Sequence, residues 1–494
     1  MSTLLEALTD KTVLGVLPDA VGGVAYDSRK VGPGELFVAV PGLKQDGRRF
    51  ITDALDRGAA AVVFEGADPL AGTLTGRIRV PSSREALGRL ADAYYGHPSR
   101  ALAVIGITGT NGKTTTSYLV EALLRAAGAK TGVVGTIQYR IGTETLPAGQ
   151  TTPEAVELQS LLARMVAQGV AAVAMEVSSH ALALHRVDGI EFDAAVFTNL
   201  TQDHLDFHGT LEEYRKAKAR LFRLLRASRK PRRAAVVNGD DPVGPLMAEA
   251  VGGAVAVITF GMGAAAQVRP RSFSSGLGGI ALEAETPRGV VRVSSPLVGE
   301  HNVMNLLGAI GVGVALAMDP EMIGRALSGV STVAGRFERV EAGQPFLVVV
   351  DYAHTPDALE RTLGTARKLV APGGRLGVVF GCGGDRDRGK RPLMGGIATR
   401  LADRAWVTSD NPRSEQPDAI IAEIVTGIPR EALDRHVTMP DRKAAIRSAL
   451  EWARPGDVIV LAGKGHETYQ IVGSEVLPFD DRAIAREVLA ERRP

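Results

Sequence analysis

The chain has 494 residues, of which 45% are hydrophobic and 23% charged, with a formal net charge of +2 and a single cysteine, Cys382. That length exceeds one hydrophobic core and predicts roughly three domains of an ordinary globular protein. The near-neutral balance leaves no electrostatic footprint for nucleic acid, and one thiol excludes an internal disulfide framework or a cysteine-rich zinc site while fitting a reducing cytoplasm.

Met1–Lys11 lacks a basic start followed by an apolar stretch, so no secretory signal is expected. Val24–Asp27 and Glu35–Val40 predict short strands, and Phe50–Gly58 and Arg84–Tyr95 predict helices. Residues 1–100 therefore form a first α/β domain, ending at a hinge of Gly96-His97-Pro98-Ser99. The apolar run Ala101–Ile107 predicts a strand that runs into Gly109-Thr110-Asn111-Gly112-Lys113-Thr114-Thr115, with a helix over Tyr118–Ala127. A strand that ends in glycines, lysine and threonine and then opens a helix is built to hold phosphate. The glycines let backbone N–H groups converge on anionic oxygens, and the helix points its positive end at the same spot. Lys113 can reach terminal phosphates and Thr114 can offer a hydroxyl to Mg²⁺. The loop is a shortened form of the P-loop pattern, because Ile107 sits where that pattern has its first glycine.

Val170–Met175, Ala194–Phe197, Ala234–Val237 and Val255–Phe260 are apolar runs without alternation, which predicts a central domain, residues 101–335, around a mostly parallel sheet with both faces covered. Within it, Gly276–Pro296 reads as an antiparallel hairpin. Leu306–Met318 is too short to span a bilayer and reads as a buried helix. Of two basic clusters, Arg223–Arg233 reads as a solvated face, and Arg386–Arg391 follows a strand. Phe346–Val350, Arg375–Phe380, Ala405–Thr408 and Asp457–Leu461 repeat the strand pattern and predict a third, Rossmann-like domain over residues 336–494.

Most predicted strands end in chemically capable residues. Met175 leads to Glu176 and Ser178, Phe197 to Asp203-His204, Val350 to Asp351, Phe380 to Asp385-Arg386, Thr408 to Asp410-Asn411-Pro412-Arg413, and Leu461 to Gly463 and Glu467. Open α/β sheets bind ligands outside the carboxyl ends of their strands, so two decorated sheets imply a cleft between them. Thr114, Glu176 and His204 combine hydroxyl, carboxylate and imidazole, which could hold hard divalent cations beside nucleotide phosphates. By composition alone Tyr214–Phe222 reads as a basic surface helix.

The ordered motifs are Asp27-Ser28-Arg29, Gly109–Thr115, Thr151-Thr152-Pro153, Glu176–His180, Asp203–Gly209, Tyr214–Phe222, His301-Asn302-x-x-Asn305, Gly335–Glu338, Asp351–Pro356, Gly381–Pro392, Asp410–Arg413 and Gly463–Glu467. Together they resemble the Mur ligases, the ATP-dependent amide-forming family of peptidoglycan precursor synthesis, over essentially the whole chain. The resemblance implies an N-terminal UDP-binding domain, a central P-loop ATPase domain and a C-terminal domain for the incoming amino acid. It implies that Gly109, Thr110, Asn111, Gly112, Lys113, Thr114 and Thr115 cradle ATP, and that Asn302, Arg336 and Asp351 touch the nucleotide. Thr114 and Glu176 would ligate one Mg²⁺ and His204 a second, with Lys218 modified as a carbamate that helps place the second ion. Lys113, Glu176, His204 and Lys218 are thus the implied catalytic set. Ser28 would contact the UDP part of the substrate, while Thr151, Thr152, Ser178 and Arg186 would hold its dipeptide part. This chain departs from some relatives at Leu184, where they carry glutamine, and at Asp46-Gly47-Arg48-Arg49-Phe50, where Asp-Gly-His is more usual.

Asp410, Asn411, Pro412 and Arg413 match the family's signature for diaminopimelate, and Arg386, Gly463 and Glu467 match further contacts to that amino acid. Diaminopimelate differs from lysine by a second carboxylate, which a guanidinium binds by two charge-assisted hydrogen bonds. Lysine would leave Arg413 unpaired, at a cost of about 1–3 kcal/mol or more. The implied activity joins meso-2,6-diaminopimelate to the D-Glu γ-carboxylate of UDP-N-acetylmuramoyl-L-Ala-D-Glu through an acyl phosphate. It implies small-molecule partners only, a cytoplasmic monomer, and neither nucleic acid nor membrane insertion. The alternatives are the same reaction with L-lysine, a folylpolyglutamate synthetase-like ligase, and a nucleotide-regulated switch, which would need no second metal site.

Overall fold

The structure is a computed structural model and describes residues 1–42, 45–276 and 278–492. Its N-terminal unit is a five-stranded sheet in the order Thr12–Leu14, Arg77–Arg79, Ala61–Phe64, Leu36–Val38, Val24–Ala25; the last four strands are parallel and the first is an antiparallel edge. The expected strands near Val24 and Leu36 are present but shorter, and the other three were not anticipated. Helix Ser83–Tyr94 begins where the Ser82 hydroxyl accepts the Glu85 N–H, and it buries Leu87, Leu90 and Ala91. At the expected hinge the chain turns through His97 (φ 57°) into the short turn Pro98–Ala101.

The central sheet has eight strands in the order Ala256–Phe260, Ala234–Asn238, Ala194–Phe197, Ala103–Thr108, Ala172–Glu176, Thr131–Val134, Gln138–Ile141, Glu144–Pro147. The first six are parallel and the last two antiparallel. Ile105 and Ile107 face helices Lys113–Ala126 and Glu300–Ala315, whereas Val104 faces the layer of Leu158, Leu162, Leu221 and Phe222. Both faces are apolar, which is why these strands read as unbroken hydrophobic runs. The expected buried helix is Glu300–Ala315, and among the described residues no helix is long and apolar enough to cross a membrane.

One expectation is corrected here. The helix Leu211–Ala227, read by composition as a surface element, buries Tyr214, Lys218, Leu221, Phe222 and Leu225 against the sheet; apart from Lys218 its charges lie off that stripe. The expected antiparallel hairpin within Gly276–Pro296 is present as Gly279–Thr286 and Gly289–Ser295, and Arg269–Gly276 extends it to three strands, with Leu277 outside the described residues.

The C-terminal sheet runs Glu338–Arg339, Leu347–Asp351, Val458–Ala462, Leu376–Phe380, Arg404–Thr408, His436–Met439, parallel apart from the first pair. Arg442 and Asp481, both 0% exposed, form a 2.6 Å ion pair, and Arg442 also donates to the Ala462 carbonyl at 2.9 Å, where the central strand ends. A small hairpin, Tyr469–Val472 with Glu475–Pro478, follows that strand.

Candidate active site

The strand Ala103–Thr108 lies between Ala172–Glu176 and Ala194–Phe197, so three strand ends meet beside the loop 109–112. Two of its glycines are sterically required. A Cβ on Gly109 would lie 1.8 Å from the Thr198 hydroxyl, and one on Gly112, at φ +83°, would lie 2.4 Å from Asn305 Oδ1. The loop is tied to the next strand end: Thr110 N donates to Asn199 O at 2.8 Å, and Asn111 N to Asn199 Oδ1 at 3.0 Å. Gly112 caps helix Lys113–Ala126, whose first turn buries Thr114 and Thr115.

Two lysines converge on one carbonyl. Lys113 Nζ donates to Gly109 O at 3.0 Å and Thr110 O at 2.8 Å, and Lys218 Nζ donates to Gly109 O at 2.7 Å. Burial lowers both ammonium pKa values, and for Lys218, which falls far below its ordinary range, the Lys113 charge adds to the effect. Lys218 is 1% exposed and sits 4.3 Å from the centre of the Tyr214 ring.

The Glu176 carboxylate accepts hydrogen bonds from Thr114 Oγ1 at 3.0 Å and from Thr136 N and Oγ1 at 2.9 and 3.1 Å. Arg336, from the C-terminal unit, donates to the same Thr114 hydroxyl at 3.0 Å. His204 has a left-handed backbone (φ 54°), with its Nε2 3.3 Å from Asp203 Oδ2 and its ring 4.7 Å from that of His180. Burial lowers its pKa and holds neighbouring His180 and His208 at about 4. Thr114 and Glu176 are thus brought together, whereas His204 belongs to a separate cluster with Asp203 and Tyr214. Among the described residues no three His, Cys, Asp or Glu side chains converge as a metal-binding group. A hydroxyl and a carboxylate beside a phosphate loop are nonetheless the hard oxygen donors that Mg²⁺ takes, with phosphate and water completing its shell.

Asn302 accepts from Asn305 Nδ2 at 2.9 Å, and Asn305 faces Gly112, so Asn305 reaches the back of the loop and Asn302 braces it from behind. Half-buried Asp351 accepts the Phe337 N–H at 2.7 Å and the Thr362 hydroxyl at 3.0 Å, and desolvation raises its pKa. Asp357, which sequence reasoning missed, spans the cleft: its Oδ2 accepts from Asn111 Nδ2 and Thr201 Oγ1, each at 3.0 Å.

Thr152, Ser178 and Arg186 form a second group. Ser178 N donates to Thr152 Oγ1 at 3.1 Å, and Arg186 Nη1 donates to Thr152 O at 3.1 Å. Thr151 joins through the Thr136 hydroxyl at 3.0 Å. Arg186 also pairs with Glu154 at 2.7 Å, a residue missed although it directly follows Thr151-Thr152-Pro153. Ser28 stands in the N-terminal unit, in a turn capped by Asp27; that unit meets this group through Arg84–Glu154 at 3.6 Å and Tyr26–Glu157 at 2.8 Å.

A third group occupies the C-terminal strand ends. Lys464, also missed and 0% exposed, lies 3.2 Å from Asn411 Oδ1, 3.4 Å from Glu467 Oε2 and 3.5 Å from Asp410 Oδ1. Burial, then the Asp410 charge, raises the Glu467 pKa. Gly463, at φ +109°, packs against Asp410. Arg413 and Arg386 flank Gly383, where a Cβ would lie 2.9 Å from Arg413 Nη1 and 3.8 Å from Arg386 Cγ. Their hydrogen bonds go to carbonyls, at 2.8 Å from Arg413 to Gly384 O and 3.2 Å from Arg386 to Asp385 O; neither pairs with a carboxylate among the described residues. An open cavity of about 1310 Å³ lies away from these groups, between the three-stranded sheet and helix Pro320–Ser328.

Comparison with known proteins matches three family descriptions: "Mur ligase family, catalytic domain" over residues 20–95, "Mur ligase middle domain" over 107–313, and "Mur ligase, glutamate ligase domain" over 335–465. The chain is 48% identical over 477 residues to the UDP-N-acetylmuramoyl-L-alanyl-D-glutamate–2,6-diaminopimelate ligase of Geobacillus kaustophilus (strain HTA426), covering 96% of each. A solved structure of a ligase with that description is 34% identical, with a TM-score of 0.69 over 97% of this chain and 98% of the other. A Mycobacterium tuberculosis folylpolyglutamate synthase complexed with ADP and AMPPCP is 21% identical, with a TM-score of 0.62 over 82% of this chain and 94% of the other, and shares the fold.

Proposed function

The chain belongs to the Mur ligase family, and from that premise we infer that it is the ATP-dependent ligase adding meso-2,6-diaminopimelate to the D-Glu γ-carboxylate of UDP-N-acetylmuramoyl-L-Ala-D-Glu, in peptidoglycan precursor synthesis. The observation that carries the choice of amino acid is the pair of guanidiniums, Arg386 and Arg413, that flank Gly383 without a carboxylate partner. Lysine has no group to offer them.

In this reading ATP lies along residues 109–115, with Lys113 on its terminal phosphates and Asn302, Arg336 and Asp351 on the nucleotide. Thr152, Ser178 and Arg186, supported by Thr151, hold the dipeptide end of the other substrate, and Ser28 holds its UDP end. Binding energy from the remote UDP then positions the reacting carboxylate. A carboxylate oxygen of D-Glu attacks the γ-phosphorus of ATP, and ADP leaves. The free amine of diaminopimelate attacks the resulting acyl phosphate, the C–O bond to phosphate breaks, and an amide remains with the amine proton carried off by phosphate. Asp410, Asn411 and Glu467 receive the amino-acid end of diaminopimelate, and Arg413 and Arg386 its distal carboxylate. Both steps gather negative charge, which Lys113, Arg336 and the loop N–H groups stabilise. Thr114 and Glu176 would hold one Mg²⁺, and His204 with Lys218 as a carbamate would hold a second; such ions would neutralise the phosphate charge. Burial lowers the Lys218 pKa well below its ordinary range, which favours the neutral amine, the form that reacts with CO₂ to give a carbamate. ATP and the UDP-linked substrate place the work in the cytoplasm, and one chain carries all three substrate groups, so a monomer suffices.

The test is phosphate release with ATP, Mg²⁺ and UDP-N-acetylmuramoyl-L-Ala-D-Glu, comparing meso-diaminopimelate with L-lysine. Release with diaminopimelate alone is expected. Release with lysine would overturn the role of the two arginines, and release with neither would overturn the ligase reading.

A further inference from the structure

Arg391 faces no substrate in the reading just given, yet it is 0% exposed in the first turn of helix Lys390–Leu401. Its two terminal nitrogens grip Glu415 at 2.8 and 2.9 Å, Glu423 at 2.8 Å and the Gly383 carbonyl at 3.3 Å. Glu415 in turn accepts the Asp385 N–H at 2.6 Å. Around this hub two loops are zipped together. Gly384 N donates to Asn411 O at 2.9 Å, and the Asp385 carboxylate accepts from Ser414 Oγ at 2.6 Å and Ser414 N at 3.2 Å. A Cβ on Gly384 would lie 1.8 Å from Pro412 O. Each loop also holds a non-glycine residue in the left-handed region, Asp385 at φ 54° and Arg413 at φ 53°. Such conformations persist only where surrounding contacts over-determine them.

We propose that Arg391 is a positioning residue for the amino-acid substrate: it locks the Gly383–Arg386 loop against the Asp410–Arg413 loop so that Arg386 and Arg413 meet one distal carboxylate. It acts in two ways. Its planar fork joins two carboxylates and a carbonyl at fixed angles, which the point charge of a lysine cannot do. It also occupies Glu415, two residues from Arg413, so that this carboxylate does not compete with the substrate for the guanidiniums. This role rests on the diaminopimelate reading.

The experiment uses the full chain and compares Arg391→Lys and Glu423→Gln with Arg413→Ala, reading kcat, KM for diaminopimelate, KM for ATP and the ratio of diaminopimelate to lysine use. Arg391→Lys is expected to raise KM for diaminopimelate on the order of 10–100-fold, as small misplacements of binding groups do, with KM for ATP unchanged. Glu423→Gln, which leaves the Glu415 contacts in place, is expected to raise it less and keeps the test available should the lysine variant not fold. A diaminopimelate KM within about twofold of the parent in both variants, while Arg413→Ala raises it, would overturn the role of Arg391 alone. No change in any of the three would overturn it together with the diaminopimelate reading.

Discussion

Gly112 offers a direct test of how the phosphate loop is held. Its φ of +83° costs an L-residue about 1 kcal/mol, and an added Cβ would lie 2.4 Å from Asn305 Oδ1. Asn305 cannot yield cheaply, because its amide donates to Asn302 Oδ1 at 2.9 Å and its oxygen faces the Thr116 hydroxyl at 3.5 Å, all of it buried. Displacing it breaks about two hydrogen bonds at about 1 kcal/mol each. Gly112→Ala is therefore expected to cost about 3 kcal/mol. Gly128, just beyond the other end of the same helix, has a similar φ of +85° but nothing within 4 Å, so Gly128→Ala isolates the backbone cost, about 1 kcal/mol. Calorimetry should show the central transition lowered by roughly 6–12 °C for the first variant and about a third of that for the second. Titration with ADP should show at least about tenfold weaker binding for Gly112→Ala, equivalent to about 1.4 kcal/mol, and parental binding for Gly128→Ala. Equal destabilisation of the two variants, within about 0.5 kcal/mol, would refute the steric argument.

Lys218→Met should fold, since methionine fills the same apolar slot and Lys113 still donates to the Gly109 carbonyl, while kcat falls on the order of 10²-fold or more in the phosphate-release assay. Near-parental turnover would remove Lys218 from the catalytic set. Hydrogen bonds from Arg391 hold the Glu415 carboxyl at about 2, below its ordinary 4.5. Because the folded pKa is the lower one, this stabilisation is complete above about pH 4.5 and is lost as pH falls towards about 2. Urea titrations should therefore show a shallower acid loss of stability for Glu415→Gln than for the parent over that range, and parallel curves would contradict the pairing. Asp481→Ala leaves Arg442 charged and fully buried, and is expected to lower stability by about 3–5 kcal/mol by urea midpoint. A loss under about 1 kcal/mol would show that the pair contributes little.

Local chemistry made much of this site legible in the chain. A loop that must admit phosphate between a strand and a helix needs Gly109 and Gly112 wherever it occurs, and the structure shows which neighbours, Thr198 and Asn305, enforce them. The strand cores were legible because two covered faces demand unbroken apolar runs. The short strands Thr12–Leu14 and Arg77–Arg79 were not, being too short to show a period. The helix Leu211–Ala227 misled composition because its many charges hide one apolar stripe. Lys218 lies on that stripe, and nothing local distinguishes it from the exposed Lys216.

The sequence by itself determined the α/β class, the phosphate loop and the identity of the groups that end each strand. These depend on periodicity, on backbone freedom at glycine and on side-chain chemistry, all properties of neighbouring residues. Tertiary structure alone decided which charges are buried and what they face. Arg391 and Lys464 are offset in the interior only when Glu415 and Glu423, and Asp410, arrive from other segments. Asp357 meets Asn111 across 246 residues of chain. Removal of a charge from water and the partner that offsets it are settled only when distant segments pack, and no local pattern encodes them.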